Sequence, residues 1–153
     1  MCIRDRSLVA DEYNYPLLIS IHPRTANKLK IFGIEPKSDH VRLLEPLNFF
    51  DFIKLEKNAF LVLSDSGTVQ EECSILNVPN VTIRDVTERA ETLECGSNIL
   101  SGGASKDIIR AVSLASSLLP DWISPEEYST PKVSSTVAKI VLGYTSLRKQ
   151  TST

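Results

Sequence analysis

Little cysteine, no surplus of basic charge and no long hydrophobic run are the first features of this 153-residue sequence. Its three cysteines, Cys2, Cys73 and Cys95, are odd in number and widely spaced. That excludes a disulfide framework and a Cys-x-x-Cys metal knuckle, and it fits a reducing, cytoplasmic setting. Seventeen Lys and Arg stand against nineteen Asp and Glu, a formal charge of -2, so the chain lacks the basic face by which a protein holds a nucleic-acid backbone. The absence of a continuous apolar segment removes a membrane-spanning helix, and there are no repeats or low-complexity tracts. What is present, 42% hydrophobic and 24% charged residues, has the balance of one ordinary globular domain. A chain of this length buries roughly two-thirds of its unfolded surface. The start, Met1-Cys2-Ile3-Arg4-Asp5-Arg6, has neither the apolar stretch nor the cleavage site of a secretory signal. Residues 1–7 resemble a translated adaptor and are expected to be a non-native leader, with the chain a fragment of a longer protein.

Short apolar runs alternate with helical patterns, the layout of an α/β domain with a Rossmann-like, doubly wound parallel sheet. Strands are predicted at Leu17 to Ile21, Val41 to Leu44, Phe60 to Leu63, Asn80 to Ile83 and Ser97 to Leu100. Helices are predicted at Thr25 to Phe32, Phe49 to Lys57, Thr68 to Leu76 and Lys106 to Leu118, with a shorter turn or helix at Glu88 to Glu94. The main domain runs over 8–120. In 121–153 the stretch Asp121 to Lys132, with Pro125 and Pro131, reads as a linker, Val133 to Leu147 as an amphipathic helix and Lys149 to Thr153 as a frayed tail.

Open parallel sheets bind ligands at the carboxyl ends of their strands, so residues directly after each apolar run carry the functional information. Three polar clusters fall there: His22-Pro23-Arg24, Ser64-Asp65-Ser66-Gly67-Thr68, and Arg84-Asp85-Val86-Thr87-Glu88-Arg89. In the second, a strand turns into a helix at a glycine that lets backbone approach an anion with no Cβ in the way. Outward N–H groups and the positive end of the helix dipole make a phosphate site, with the Ser66 and Thr68 hydroxyls as further donors. The same residues also fit a simple helix cap, since Thr68 and Glu71 match the capping-box pattern. Glu72, one turn on, can accept from a ribose diol or stand solvated on a helix face. His22 can donate to phosphate or exchange protons near neutral pH, or be simply exposed. Arg84 and Arg89 can fork onto diphosphate oxygens or pair with Asp85 and Glu88. Phe49, Phe50 and Phe52 can wall a flat base, although aromatics at helical spacing commonly serve the core. Cys73 and Cys95 read as small buried apolar residues.

Taken together, His22-Pro23-Arg24, Pro46 to Phe52, the Ser-Asp-Ser-Gly-x-x-Gln-Glu-Glu block from Ser64 to Glu72 and the Arg-Asp-x-Thr-Glu-Arg block from Arg84 to Arg89 resemble the C-terminal half of the non-hydrolysing UDP-N-acetylglucosamine 2-epimerases. The resemblance spans approximately Pro16 to Gly103. It implies the C-terminal domain of a GT-B fold, in which nucleotide lies between two Rossmann-like domains. It further implies that His22 is the active-site histidine, Ser66, Gly67 and Thr68 the diphosphate turn, Glu72 the ribose ligand and Arg89 the pocket arginine, with Phe52 near the base. Thr68 stands where many members have a second glycine, and Ala90 where proline usually follows. The Ser-Gly-Thr form resembles the branch acting on modified UDP-amino sugars of capsule and O-antigen.

The reaction so implied inverts C2 by eliminating UDP and the C2 proton and re-adding both, without a nicotinamide cofactor or a metal. Its acid and base carboxylates belong to an N-terminal domain that this chain lacks, and its parent is expected to be a homodimer binding a UDP-amino sugar. Hydrolysing epimerases, a GT-B glycosyltransferase and a nucleotide-binding module without chemistry are the alternatives. Two structural expectations follow: His22, Ser66 and Arg89 at one carboxyl rim, and an exposed apolar stripe on the last helix including Val137, Ile140 and Val141.

Overall fold

The alternation of four-residue apolar runs with helical segments gives parallel strands joined by helical crossovers. The computed structural model describes residues 9–36 and 38–148; the leader and tail expected at the two ends lie outside the described residues. A helical stretch at residues 9–13, called α1, precedes β1 (Leu17–Ser20), α2 (Pro23–Ile31) and β2 (Val41–Leu44). Then follow α3 (Phe49–Lys57), β3 (Val62–Ser64), α4 (Gly67–Leu76), β4 (Asn80–Thr82), α5 (Ala90–Glu94), β5 (Asn98–Leu100) and α6 (Ser105–Ser117). A 3-10 turn at Glu126–Ser129 leads into α7 (Val133–Arg148).

All strand pairs are parallel, as the pattern predicts, but the ladder is interrupted. β1 pairs with β2, from Leu17 opposite Val41 to Ser20 opposite Leu44. Separately, β4 lies between β3 and β5, with Val81 opposite both Leu63 and Ile99. The expected single sheet is therefore two, and a cleft of about 640 Å³ runs between β1 and β3. Its walls are apolar side chains of both strands, among them Leu17, Ile19, Val62 and Leu63. Tyr15 and Phe60, just before the two strands, stack with ring centroids 4.8 Å apart and bridge the gap. The stacked rings tie the two half-sheets together where no ladder hydrogen bond joins β1 to β3 among the described residues.

Side chains alternate across a strand, and the two faces of the three-stranded sheet differ in chemistry. Val81 faces α1 and α6, where Val9, Ile108, Ala111, Val112 and Ala115 close an apolar core around it. Its neighbours Asn80 and Thr82, 1% and 0% exposed, face the other way, on the side of Gln70 and Asn98. A second small core joins Ala10 to Ile19 and Val41, so consecutive residues of α1 serve the two half-sheets.

The segment read as a linker is docked rather than free. Trp122 donates its indole N–H to the Ser74 carbonyl at 3.2 Å, and Ser74 Oγ donates to Ser124 Oγ at 3.2 Å. The last helix leaves its apolar stripe in solvent, as the pattern predicts: Val137 is 50%, Ile140 63% and Val141 57% exposed. No helix among the described residues is long and apolar enough to cross a membrane.

Candidate functional site

The turn after β3 is built so that the first amides of α4 stay available. Ser66 is the N-cap, in extended conformation, yet its side chain makes no cap hydrogen bond. Its hydroxyl instead meets Thr68 Oγ1 at 3.0 Å, and its backbone N–H donates to Ser64 Oγ at 3.1 Å. The capping-box reading of Thr68 and Glu71 is thereby corrected: Thr68 lies inside the helix, exposed, and Glu71 is turned to a different partner. Two hydroxyls side by side at the positive end of a ten-residue helix are donors of the kind that an anion recruits.

That different partner is Arg89. Its Nε donates to Glu71 Oε1, which holds the guanidinium across the start of α4. A Cβ built on Gly67 would lie 3.6 Å from both Cζ and Nη2 of Arg89, so the guanidinium covers the bare face of the glycine. The carboxylate raises the pKa of the guanidinium still further, and with Nε committed to Glu71 the terminal Nη groups are the ones left to meet a ligand. Sequence reading left the arginines either to diphosphate oxygens or to pairing with Asp85 and Glu88. The structure gives Glu88 to Arg84 alone among hydrogen-bonded ion pairs, at 3.2 Å on the surface.

Beneath this rim lies a buried polar network that sequence reading missed. Gln70, 0% exposed, accepts from Thr87 Oγ1 at 2.7 Å and from Asn98 Nδ2 at 3.2 Å, and donates to the Ser66 carbonyl at 3.3 Å. Asn98 also accepts from Thr82 Oγ1 at 2.8 Å and reaches Thr92 Oγ1 at 3.2 Å. Thr92 in turn donates to the Arg89 carbonyl at 2.7 Å. The available signal was polar residues inside strand runs: Thr82 and Asn98 interrupt apolar patterns where only a hydrogen-bonded partner makes burial tolerable.

Glu72 is half-buried on α4. Burial, assisted by the adjacent Glu71 charge, holds its carboxyl above the usual glutamate range. One turn of α3 carries Phe52, half-buried, and Glu56, 4% exposed. Both line the cleft that Asp65 and Val69 also line. Phe49 and Phe50 are 66% and 81% exposed and packed edge-on, so they are not core. Cys73, 0% exposed, donates its thiol to Glu56 Oε1 at 3.2 Å, and burial pushes the thiol pKa up and the Glu56 carboxyl up with it. Cys73 is the small buried residue expected, now with a carboxyl partner.

His22 caps α2: its Nδ1 accepts from the Arg24 amide at 3.2 Å. In the neutral ring that acceptor role places the proton on Nε2, and the residue is exposed. His22, Ser66 and Arg89 all follow carboxyl ends of parallel strands. Ser66 and Arg89 meet at Gly67, whereas His22 belongs to the β1–β2 half, and no hydrogen bond among the described residues links it to the other two. No group of three or more His, Cys, Asp or Glu among the described residues could hold a metal ion.

The family model for UDP-N-acetylglucosamine 2-epimerase matches residues 5–142. A UDP-N-acetylglucosamine 2-epimerase of Methanocaldococcus jannaschii is 42% identical over 120 residues, 76% of this chain and 33% of that protein. A UDP-2,3-diacetamido-2,3-dideoxy-D-glucuronate 2-epimerase of Pseudomonas aeruginosa is 35% identical over 96 residues, 63% of this chain and 26% of its own length. In three dimensions the chain superposes with TM-score 0.81 and 37% identity on the crystal structure of Methanocaldococcus jannaschii UDP-GlcNAc 2-epimerase in complex with UDP-GlcNAc and UDP, covering 90% of this chain and 38% of that one. The chain thus spans about a third of the length of such relatives, and it belongs to the UDP-N-acetylglucosamine 2-epimerase family.

Proposed function

We propose that this member of the family binds the UDP part of a UDP-amino sugar at the start of α4, and that it does so as the C-terminal, nucleotide-holding half of a GT-B epimerase. The observation that carries this is the uncapped N-terminus of α4, with the Arg89 guanidinium laid over Gly67. A diphosphate there meets outward amides, two hydroxyls and a fixed positive charge at once. Glu72 serves the ribose hydroxyls as acceptor, and Phe52 offers an aromatic edge to the base. His22 supplies its Nε2–H to a phosphate or sugar oxygen, because its Nδ1 is spent on the α2 cap. The nucleotide-holding unit is 8–120, and 121–153 carries the docked connection and final helix.

In the epimerisation so assigned, UDP departs from the sugar and later returns, and charge builds on the diphosphate as the glycosidic bond breaks. The amides of α4 and Arg89 are fixed donors at that oxygen cluster, the arrangement that stabilises a leaving group without reorganisation. Proton removal and return at C2 call for carboxylates on both sugar faces, which we assign to the part of the parent that this chain does not contain. Isothermal titration tests the binding reading: UDP is expected to bind, and to bind at least tenfold more tightly than uridine. Equal affinity for the two would remove the anion site. In heavy water the purified chain alone is expected to leave C2 of UDP-N-acetylhexosamines undeuterated, and enzyme-dependent exchange there would overturn the division of labour.

A further inference from the structure

The Ser66 turn and the Arg89 loop come from distant stretches of sequence, yet both must present donors to the same anion. Besides the Glu71 tether of the guanidinium and the route through Thr92 and Asn98, one short chain of hydrogen bonds runs from the Arg89 backbone to the Ser66 carbonyl. The Arg89 backbone N–H donates to Thr87 Oγ1 at 3.1 Å, Thr87 Oγ1 donates to Gln70 Oε1 at 2.7 Å, and Gln70 Nε2 donates to the Ser66 carbonyl at 3.3 Å. Each link has one donor and one acceptor correctly oriented for the next. The Gln70 carboxamide is fully buried and further fixed by Asn98, so the relay has no second arrangement that keeps its partners satisfied. We propose that Thr87 and Gln70 are positioning residues which set the spacing between the diphosphate turn and Arg89, and so tune affinity for the diphosphate rather than for the nucleoside. The inference rests on the binding reading above and adds two residues to it that themselves touch no ligand.

Thr87→Val removes the hydroxyl while keeping size and branching, which breaks the relay at its centre without opening a cavity. Thr87→Ser restores the hydroxyl. Loss of alignment at one charge-assisted contact is expected to weaken UDP binding by about tenfold, with uridine affinity unchanged, and the serine variant is expected to return within about twofold of the original chain. Gln70→Met breaks the same relay from the other side. Because the two residues act through one chain, the double variant is expected to cost little more in UDP affinity than either single one. A purely structural role would lower the melting temperature while leaving the ratio of UDP to uridine affinity where it was, and that result overturns the proposal. The unmodified chain separates the two hypotheses. If it fails to prefer UDP, the anion site and the relay fall together, and if it prefers UDP while both variants keep that preference, the relay alone is refuted.

Discussion

Replacing Gly67 by alanine sets the two demands on the start of α4 against one another. The chain's left-handed glycines are Gly33, Gly96 and Gly102, so Gly67 adopts a conformation open to alanine. The added Cβ would lie 3.6 Å from Cζ and Nη2 of Arg89 and 3.8 Å from its Nε, ordinary contact distances that require no displacement of backbone. Folding alone therefore favours alanine, by about 0.4–1 kcal/mol from the reduced freedom of the unfolded chain, or ~1–4 °C in melting temperature for a domain of this size. Ligand binding runs the other way. The methyl group occupies the face across which the guanidinium and the first amides of α4 converge, and it holds a phosphate oxygen off by more than a hydrogen bond tolerates. Losing one charge-assisted hydrogen bond costs about 1.5–3 kcal/mol, roughly a 10- to 150-fold rise in the UDP dissociation constant. Thermal melts and titration calorimetry on the same preparations read both numbers. Unchanged UDP affinity would refute the idea that this glycine exists for close approach, and a melting temperature several degrees lower would refute the steric reading of the Arg89 contact.

Other expectations follow from the interior and the surface. Burial raises the Glu56 carboxyl above its unfolded value, so the native state holds more protons than the unfolded one between the two, and stability falls as pH rises through that window. Glu56→Gln is expected to flatten this slope and to be the more stable chain at pH 7, as melts at pH 5 and 7 will show; an unaltered slope would mean that the carboxyl is not the cause. Asn98→Leu strands the Thr82 hydroxyl and takes one donor each from Thr92 and Gln70, which keep their bonds to Arg89 and Thr87, a loss of about 1–3 kcal/mol and ~2–12 °C in melting temperature, with a shift below 2 °C counting against the network. Ile140→Glu on α7 is expected to leave stability within about 0.5 kcal/mol, and a clear loss by chemical denaturation would show that the stripe is packed after all.

The alternation of apolar runs and helical patterns located every strand and the rim on which polar clusters fall, because parallel strands buried on both sides must be short, apolar and separated by crossovers. Boundaries moved by one or two residues where pairing, not composition, ends a strand: Phe60 and Leu61 precede β3, and Phe60 stacks on Tyr15 instead. Ser66, Gly67 and Arg89 were legible as separate motifs. Their common rim was expected, but the ion pair that holds Arg89 over Gly67 was not, since Glu71 also fitted a capping box and proved to be the tether of Arg89. Gln70, Thr82 and Asn98 escaped for a related reason: periodicity shows which face a residue takes, whereas the identity of a buried polar partner is settled only by three-dimensional pairing. The interruption between β1 and β3 had no signal, because edge and interior strands of this length read alike.

That interruption bears on how the molecule breathes. Among the described residues the two half-sheets share no ladder hydrogen bond and are joined through α1, the Tyr15–Phe60 stack and the walls of the cleft. Opening at such a seam releases far less buried surface than global unfolding, so the halves form separable cooperative units. Amide hydrogen exchange should then report two classes: fast and uniform in β1 and β2, whose core is Ala10, Ile19 and Val41, and slow in β4, which is flanked on both edges. The seam also sorts the proposed nucleotide contacts, for the amides of α4 and Arg89 belong to the three-stranded unit and His22 to the two-stranded one.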